Sequence, residues 1–294
     1  MRGNKHALGV LALLGCTLIW GTSFVILKDA LDSVPTLWIL AIRFTGAAIL
    51  MALFDGKKLI TLDKGYLKGG AVMGLCLALA YILQTFGLVY TTPGKNAFLT
   101  DTYCILVPFL WWFFRKVKPD RYNLTAAAIC IVGIGLVSLT EALSIGIGDA
   151  VTLSCGLFYA LHIIATSCFI EGRDPVLLSF VQFLAGAAIC WVLAPLGEPF
   201  PAAVPASAWW EIVYLCLMCT GLCFLLQTIG QKYTPPSEVS ILLMLESVFG
   251  VILSVIFYHE HLTLRVLSGF VLIFIAILIS ETKLEFLKQK KTDF

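Results

Sequence analysis

Charge is scarce in this chain. Only 13% of its 294 residues are Asp, Glu, Lys or Arg, about half the roughly 25% of a soluble globular domain, while 60% are apolar. That much apolar surface cannot be buried in one compact soluble core, and the polar stretches are too short to form a soluble domain. Histidine is thin too, at 4 residues. Neither the HExxH pattern of a zinc protease nor the GxxxxGK loop of a nucleotide-driven pump occurs. Paired glutamates and a serine with a neighbouring base are also missing, which disfavours an intramembrane enzyme. The 10 cysteines all fall within apolar runs, which suits small packing residues rather than a disulfide framework. Cys216, Cys219 and Cys223 cluster, but a metal site would want more ligands with supporting partners.

Long apolar runs are abundant. About 20 mainly apolar residues carry a helix across a bilayer, and ten such stretches can be read at 7–27, 35–54, 71–90, 95–114, 122–140, 149–170, 175–196, 208–231, 236–257 and 263–281. They are continuous and far longer than the alternating strands of a barrel, so they predict an all-α polytopic membrane protein. The first run, behind Arg2 and Lys5, is longer than a signal-peptide core and lacks a small-residue cleavage site before Pro35. Of the 20 basic residues, 16 fall in loops on the side of the N-terminus; Lys28, Lys95 and Arg265 fall on the other. The positive-inside rule then places both termini in the cytoplasm. Trp38, Trp209 and Trp210 fit interfacial anchors.

Self-comparison divides the chain. Leu83, Gln84, Thr85, Gly87, Tyr90, Thr91 and Pro93 recur 143 residues on as Leu226, Gln227, Thr228, Gly230, Tyr233, Thr234 and Pro236. Pro35, Leu37 and Gly46 to Ile49 recur 140 residues on as Pro175, Leu177 and Gly186 to Ile189, and Trp20 faces Tyr159. Two copies of a five-helix unit follow, at 1–145 and 146–294. Five spans per copy invert the second relative to the first, an arrangement that favours alternating access around a midplane site.

Further residues carry a resemblance. Span one reads Leu18-Ile19-Trp20-Gly21-Thr22-Ser23-Phe24, span two holds Arg43-Phe44, and span nine runs Leu245-Glu246-Ser247-Val248-Phe249 into Tyr258-His259-Glu260. With the duplicated unit, this resembles the drug/metabolite transporter superfamily, EamA type, over nearly the whole chain. The resemblance implies a multi-pass permease of the bacterial cytoplasmic (inner) membrane, often an exporter of amino acids or other small metabolites. The family pattern usually has Pro beside the span-nine Glu and Gly before the later Glu; here Ser247 and His259 stand there. Asp101 stands where a small neutral residue is expected.

An ionisable group at mid-span costs on the order of 2.5 to 3.5 kcal/mol on insertion scales, so Arg43, Asp101 and Glu246 should face partners or a wet cavity. Arg43 suits a substrate carboxylate or an ion pair with Asp101 or Glu246. The 143-residue offset maps Asp101 onto Met244 and Glu246 onto Tyr103. A carboxyl in a low-dielectric cavity is suited to carry a proton, so Asp101 and Glu246 are also the candidate coupling residues. His162 reads as a hydrogen-bonded packing residue or a proton or substrate contact. Trp20, Tyr81, Tyr103 and Tyr159 could line an amphipathic pocket with Gln84 and Gln227. The connections Tyr90-Thr91-Thr92-Pro93 and Tyr233-Thr234-Pro235-Pro236 read as hairpin turns whose following helix N-termini also favour anions. His259 and His261 point apart, so Glu260 is expected to end its helix or close an outer gate. Gly133 and Gly135 are expected to pack helices within one copy or between protomers of a homodimer.

The expectation is a secondary transporter of small organic metabolites, an exporter and proton-coupled. A flippase for lipids or lipid-linked precursors is the alternative, and an intramembrane enzyme ranks behind both. Neither cofactor, metal nor nucleic acid is called for; the partners are a small-molecule substrate and membrane lipid.

Overall fold

The structure is a computed structural model and describes residues 2–116, 118–139, 145–170, 172–233, 242–243 and 245–283. Of the sequence expectations, Thr234, Pro235, Pro236, Met244 and the tail lysines Lys288, Lys290 and Lys291 lie outside the described residues. The remainder is helical: α1 (Arg2–Leu31), α2 (Thr36–Asp55), α3 (Lys64–Val89), α4 (Pro93–Asp101), α5 (Tyr103–Arg115), α6 (Arg121–Ser138), α7 (Ile147–Phe169), α8 (Pro175–Gly197), α9 (Ala206–Tyr214), α10 (Cys223–Tyr233), α11 (Leu245–Tyr258) and α12 (Leu264–Thr282). A 3-10 turn, Gly56–Thr61, follows α2, and a π-helical segment, Leu215–Leu222, joins α9 to α10.

Among the described residues, 8 helices are long and apolar enough to cross a membrane. Two more, Leu245–Tyr258 and Leu264–Ser280, are apolar but shorter. Of the ten expected spans, eight are seen at full length among the described residues. For the ninth, the expected start at residue 236 falls outside the described residues. Two long runs are interrupted rather than regular: Pro93–Phe114 breaks at Thr102, and Ala206–Gln227 passes through the π segment.

Helix starts follow from short polar side chains that satisfy otherwise unpaired backbone N–H groups. Asp63 caps α3, Asp174 caps α8, Thr263 caps α12, and Asp120 with Asn123 forms a capping box on α6. Thr92 caps α4, with Pro93 in the first turn where its missing N–H costs nothing.

Packing runs mainly between the two halves of the chain. Helix α1 lies on α10 and α11, α7 on α3 and α5, α2 on α8, α4 on α11, and α6 on α12. Glycines permit the closest approaches. A β-carbon on Gly21 would stand 2.5 Å from that of Phe249, and one on Gly133 would stand 3.0 Å from the Gly269 carbonyl oxygen, with the reverse approach at 2.8 Å. Gly133 thus packs α6 onto α12 of the other half of the same chain, a third option beside the two expected. Gly135 meets nothing closer than 3.5 Å.

Candidate functional site

A cavity of about 690 Å³ opens inside the bundle. All ten residues singled out from the sequence line it: Trp20 on α1, Arg43 on α2, Tyr81 and Gln84 on α3, Asp101 ending α4, Tyr103 beginning α5, Tyr159 and His162 on α7, Gln227 on α10 and Glu246 on α11. The duplicated Leu-Gln-Thr motif puts one amide from each half on the wall, Gln84 and Gln227. Trp20 and Tyr159, equivalent in the two halves, also both reach it.

Arg43 is almost fully buried, at 2% exposure. Its Nε donates to Thr220 Oγ1 at 2.6 Å, and its guanidinium carbon stands 4.7 Å from the centre of the Tyr81 ring. Glu246 lies within electrostatic reach of both Arg43 and Asp101. Among the described residues no ion pair joins Arg43 to either carboxylate, one of the two alternatives read from the sequence; the guanidinium is held by a hydroxyl and an aromatic face.

Asp101 sits at the break between α4 and α5. There the backbone N–H of Thr102 turns back onto the Leu99 carbonyl at 3.4 Å, a tightened three-residue turn that ends the helix, and its hydroxyl bonds the same carbonyl at 2.6 Å. Ser247 lies beside the Asp101 carboxyl, whose Oδ2 is enclosed with no partner among the described residues. Two departures from the family pattern, Asp101 and Ser247, therefore meet in space. The third, His259, adopts the left-handed conformation (φ 51°), where glycine is free of strain.

The polar wall is cross-braced. Tyr159 donates to Gln84 Oε1 at 2.8 Å, Gln84 Nε2 donates to Thr100 at 3.1 Å, and Trp20 Nε1 donates to the Cys219 carbonyl at 2.7 Å. His162 Nε2 pairs with Gln182 Oε1 at 2.9 Å, so it is both hydrogen-bonded and cavity-lining. Tyr81, Tyr103 and Tyr159 pack with centroids 5.7 and 5.9 Å apart, a spacing at which ring edges and faces attract. Cys216, Cys219 and Cys223 turn their thiols to backbone carbonyls of α2 or α1 and thereby tie helices together.

The cavity reaches Ile170 and Pro175, at the ends of α7 and α8 on the same face of the bundle as the N-terminus. The far face is cross-linked. Lys28 donates to the Val89 and Thr91 carbonyls at 3.0 and 3.1 Å, and Lys95 pairs with Asp149 at 3.4 Å. Glu260 accepts from the Thr92 and Ser254 hydroxyls and from the Gly94 N–H at 3.2 Å. The N-terminus of α4 thus takes an anion, and it is this chain's own Glu260. Tyr258 donates to Asp29 across the same face.

Sequence reasoning missed Thr220 and Gln182, neutral polar residues in apolar runs that are recognisable only by what they touch; Ser247 stood out as a departure from the family pattern but not as part of the site.

Comparison with known proteins now decides the family. The EamA-like transporter family matches residues 7–139 and again 146–282. The chain belongs to the EamA-like transporter family. An uncharacterized transporter of Archaeoglobus fulgidus is 32% identical over 94% of this chain and 87% of its own length. The uncharacterized transporter YoaV of Bacillus subtilis is 24% identical, over 90% and 93%. Protein PecM of Dickeya dadantii is also 24% identical, over 93% and 92%. One protein of known crystal structure aligns with a TM-score of 0.67 over 95% of this chain and 98% of its own, at 17% identity, a likeness of fold alone. This EamA-family chain is thus a multi-pass membrane transporter and not an enzyme.

Proposed function

We propose that this EamA-family protein is a secondary transporter that exports small organic metabolites, amino acids among them, across the cytoplasmic membrane by alternating access in exchange for protons. The observation that carries the reading is the cavity itself. A guanidinium and two carboxyls, each costly inside a bilayer, line one cavity with amides and aromatic rings, and the guanidinium is not paired to either acid among the described residues. A zwitterion the size of an amino acid would meet both signs of charge there, with its side chain against the rings.

The architecture we propose is ten spans in two inverted five-helix copies, 1–145 and 146–294, with both termini cytoplasmic. The packing supports it: α1 on α10 answers to α7 on α3, and α1 on α11 answers to α7 on α5. The N-terminal face is then the cytoplasmic face, and the cavity reaches toward it while the outer face is latched. Asp101 and Glu246 are the coupling groups. A carboxyl enclosed in one conformation and wet in the other binds its proton with different affinity in the two, which is what coupling needs.

The test is flux in proteoliposomes without ATP, driven by a pH gradient, across a mixed pool of labelled amino acids, nucleosides and amines. Flux that collapses in the triple variant Arg43→Gln, Asp101→Asn, Glu246→Gln supports the site; flux unchanged in that variant refutes it. Labelled-lipid scrambling in the same vesicles reports the flippase alternative.

A further inference from the structure

We propose that Thr220 is a positioning residue for Arg43, and that the π-helical segment Leu215–Leu222 exists to present its hydroxyl. The inference rests on the reading above that Arg43 meets the substrate, and it adds how the guanidinium is aimed.

The hydroxyl of Thr220 is completely buried and fully used. Its single proton goes to the Leu215 carbonyl at 2.9 Å, five residues back, and its oxygen accepts from Arg43 Nε at 2.6 Å. A threonine in a regular α-helix returns its proton to a carbonyl three or four residues back. Only the wider turn of a π-helix offers the carbonyl at five. With the proton committed, a lone pair is left facing Arg43.

The backbone around Arg43 is clamped from the same segment. Cys216 Sγ lies 3.3 Å from both the Ile42 and Arg43 carbonyl oxygens. Two glycines make this contact possible: a β-carbon on Gly46 would stand 2.1 Å from Cys216 Sγ, and one on Gly221 would stand 2.1 Å from Leu50 Cδ2. With Nε bonded and Tyr81 under its face, the planar guanidinium has its orientation set by protein, so binding need not order it.

The pseudo-symmetry of the sequence gives an internal control. At the 140-residue offset Arg43 corresponds to Phe183, and at the 143-residue offset Thr220 corresponds to Leu77. Phe183 and Leu77 lie together in one buried apolar cluster. Each corner takes one residue from each half of the chain, and one is apolar on both sides while the other is polar on both, so the hydroxyl accompanies the guanidinium.

The test uses the full chain carrying 15N-labelled arginine, with the Arg43 Nε–H resonance assigned by its disappearance in Arg43→Lys. In Thr220→Val that proton should exchange with solvent about tenfold faster or more, and Thr220→Ser should restore the slow exchange. In flux assays Thr220→Val should raise KM with Vmax little changed, Thr220→Ser should recover the wild-type value, and Thr220→Val should add nothing to Arg43→Gln. Unchanged Nε–H exchange in Thr220→Val overturns the positioning role, as does additivity of the two variants. Faster exchange together with wild-type flux in Arg43→Gln upholds the positioning but removes Arg43 from the substrate site, so the two readings fail separately.

Discussion

Replacing Glu260 with alanine should open the outer face. The carboxylate accepts three hydrogen bonds at once, from the Thr92 hydroxyl, the Gly94 N–H and the Ser254 hydroxyl, and it joins α11 to the N-terminus of α4. A hydrogen bond to a charged group is worth about 1.5 to 3 kcal/mol when its loss leaves the partner dry. Glu260 is only partly buried, so water replaces much of what is lost, and a net cost of about 2 kcal/mol to the latched state is the realistic figure. At about 1.4 kcal/mol per factor of ten, that is roughly a 30-fold shift of the equilibrium, enough to take an outward-open population from about 1% to about 20%.

The assay is labelling of Ser23→Cys by a membrane-impermeant maleimide applied from outside. Ser23 is 8% exposed and lines the cavity, and the background carries Cys168→Ser, which removes the one cysteine classed as exposed among the described residues. Labelling should speed up by about the factor of the population shift. Glu260→Gln, whose amide oxygen still accepts, should fall between. An unchanged rate, or faster labelling only from the cytoplasmic side, would refute the assignment of Glu260 as an outer latch.

Gly133→Ala places a β-carbon 2.8 Å from Ile273 Cγ1 and 3.0 Å from the Gly269 carbonyl oxygen. It should destabilise the detergent-solubilised protein by about 1 to 3 kcal/mol, whereas Gly135→Ala should leave the melting temperature near wild type. Lys58→Ala removes an exposed pair with Asp174 at 2.9 Å and should cost no more than about 1 kcal/mol in a denaturation curve. The Lys283 ammonium hydrogen-bonded to Asp120, helped by the Asn123 and Tyr122 backbone N–H groups, holds the Asp120 carboxyl below its usual range. Because the folded value is the lower one, this stabilisation is complete above the ordinary aspartate range and fades as pH falls through the folded value. Melting curves of wild type and Asp120→Asn should therefore differ at pH 6 and converge in strong acid, by no more than the 1 kcal/mol or so of an exposed pair.

The membrane fold could be read from the chain because bilayer insertion is governed by composition over windows of about 20 residues, and composition is what a sequence states directly. The site was legible for a related reason. Arg43, Asp101 and Glu246 stand out because charge is costly where they lie, and a costly group needs a wet or paired environment. The α4–α5 break and the π segment were not legible, since hydropathy does not register a local change of helical period. Thr220 differs from any lipid-compatible threonine only in the carbonyl it bonds, and Thr102 not even in that, since its hydroxyl bonds three residues back as those of Thr17 and Thr22 do within α1. Nor could Glu260 be matched with Gly94 across 166 residues of chain; a helix N-terminus attracts an anion, but only the fold says which one.

The two irregular stretches have one consequence in common. Asp101 stands at the end of α4 where the fourth span breaks, and Arg43, on α2, is held by the π segment within the eighth; both side chains face the same cavity. A regular helix fixes each side chain to its neighbours' frame, so a charge on it moves only when the whole helix moves. A break or a wide turn has a nearby alternative register, and a residue held there can change partners through a local rearrangement. Glu246, within reach of both Arg43 and Asp101, is the group on which such a rearrangement would act. Neutralising it should therefore disturb both. Glu246→Gln should alter the Nε–H exchange of Arg43 and also the pH dependence of flux proposed for Asp101, whereas Gln227→Leu, a cavity-wall change without charge, should move only KM. If Glu246→Gln behaves like Gln227→Leu, the three ionisable groups act independently and the proposed exchange of substrate for protons does not run through them.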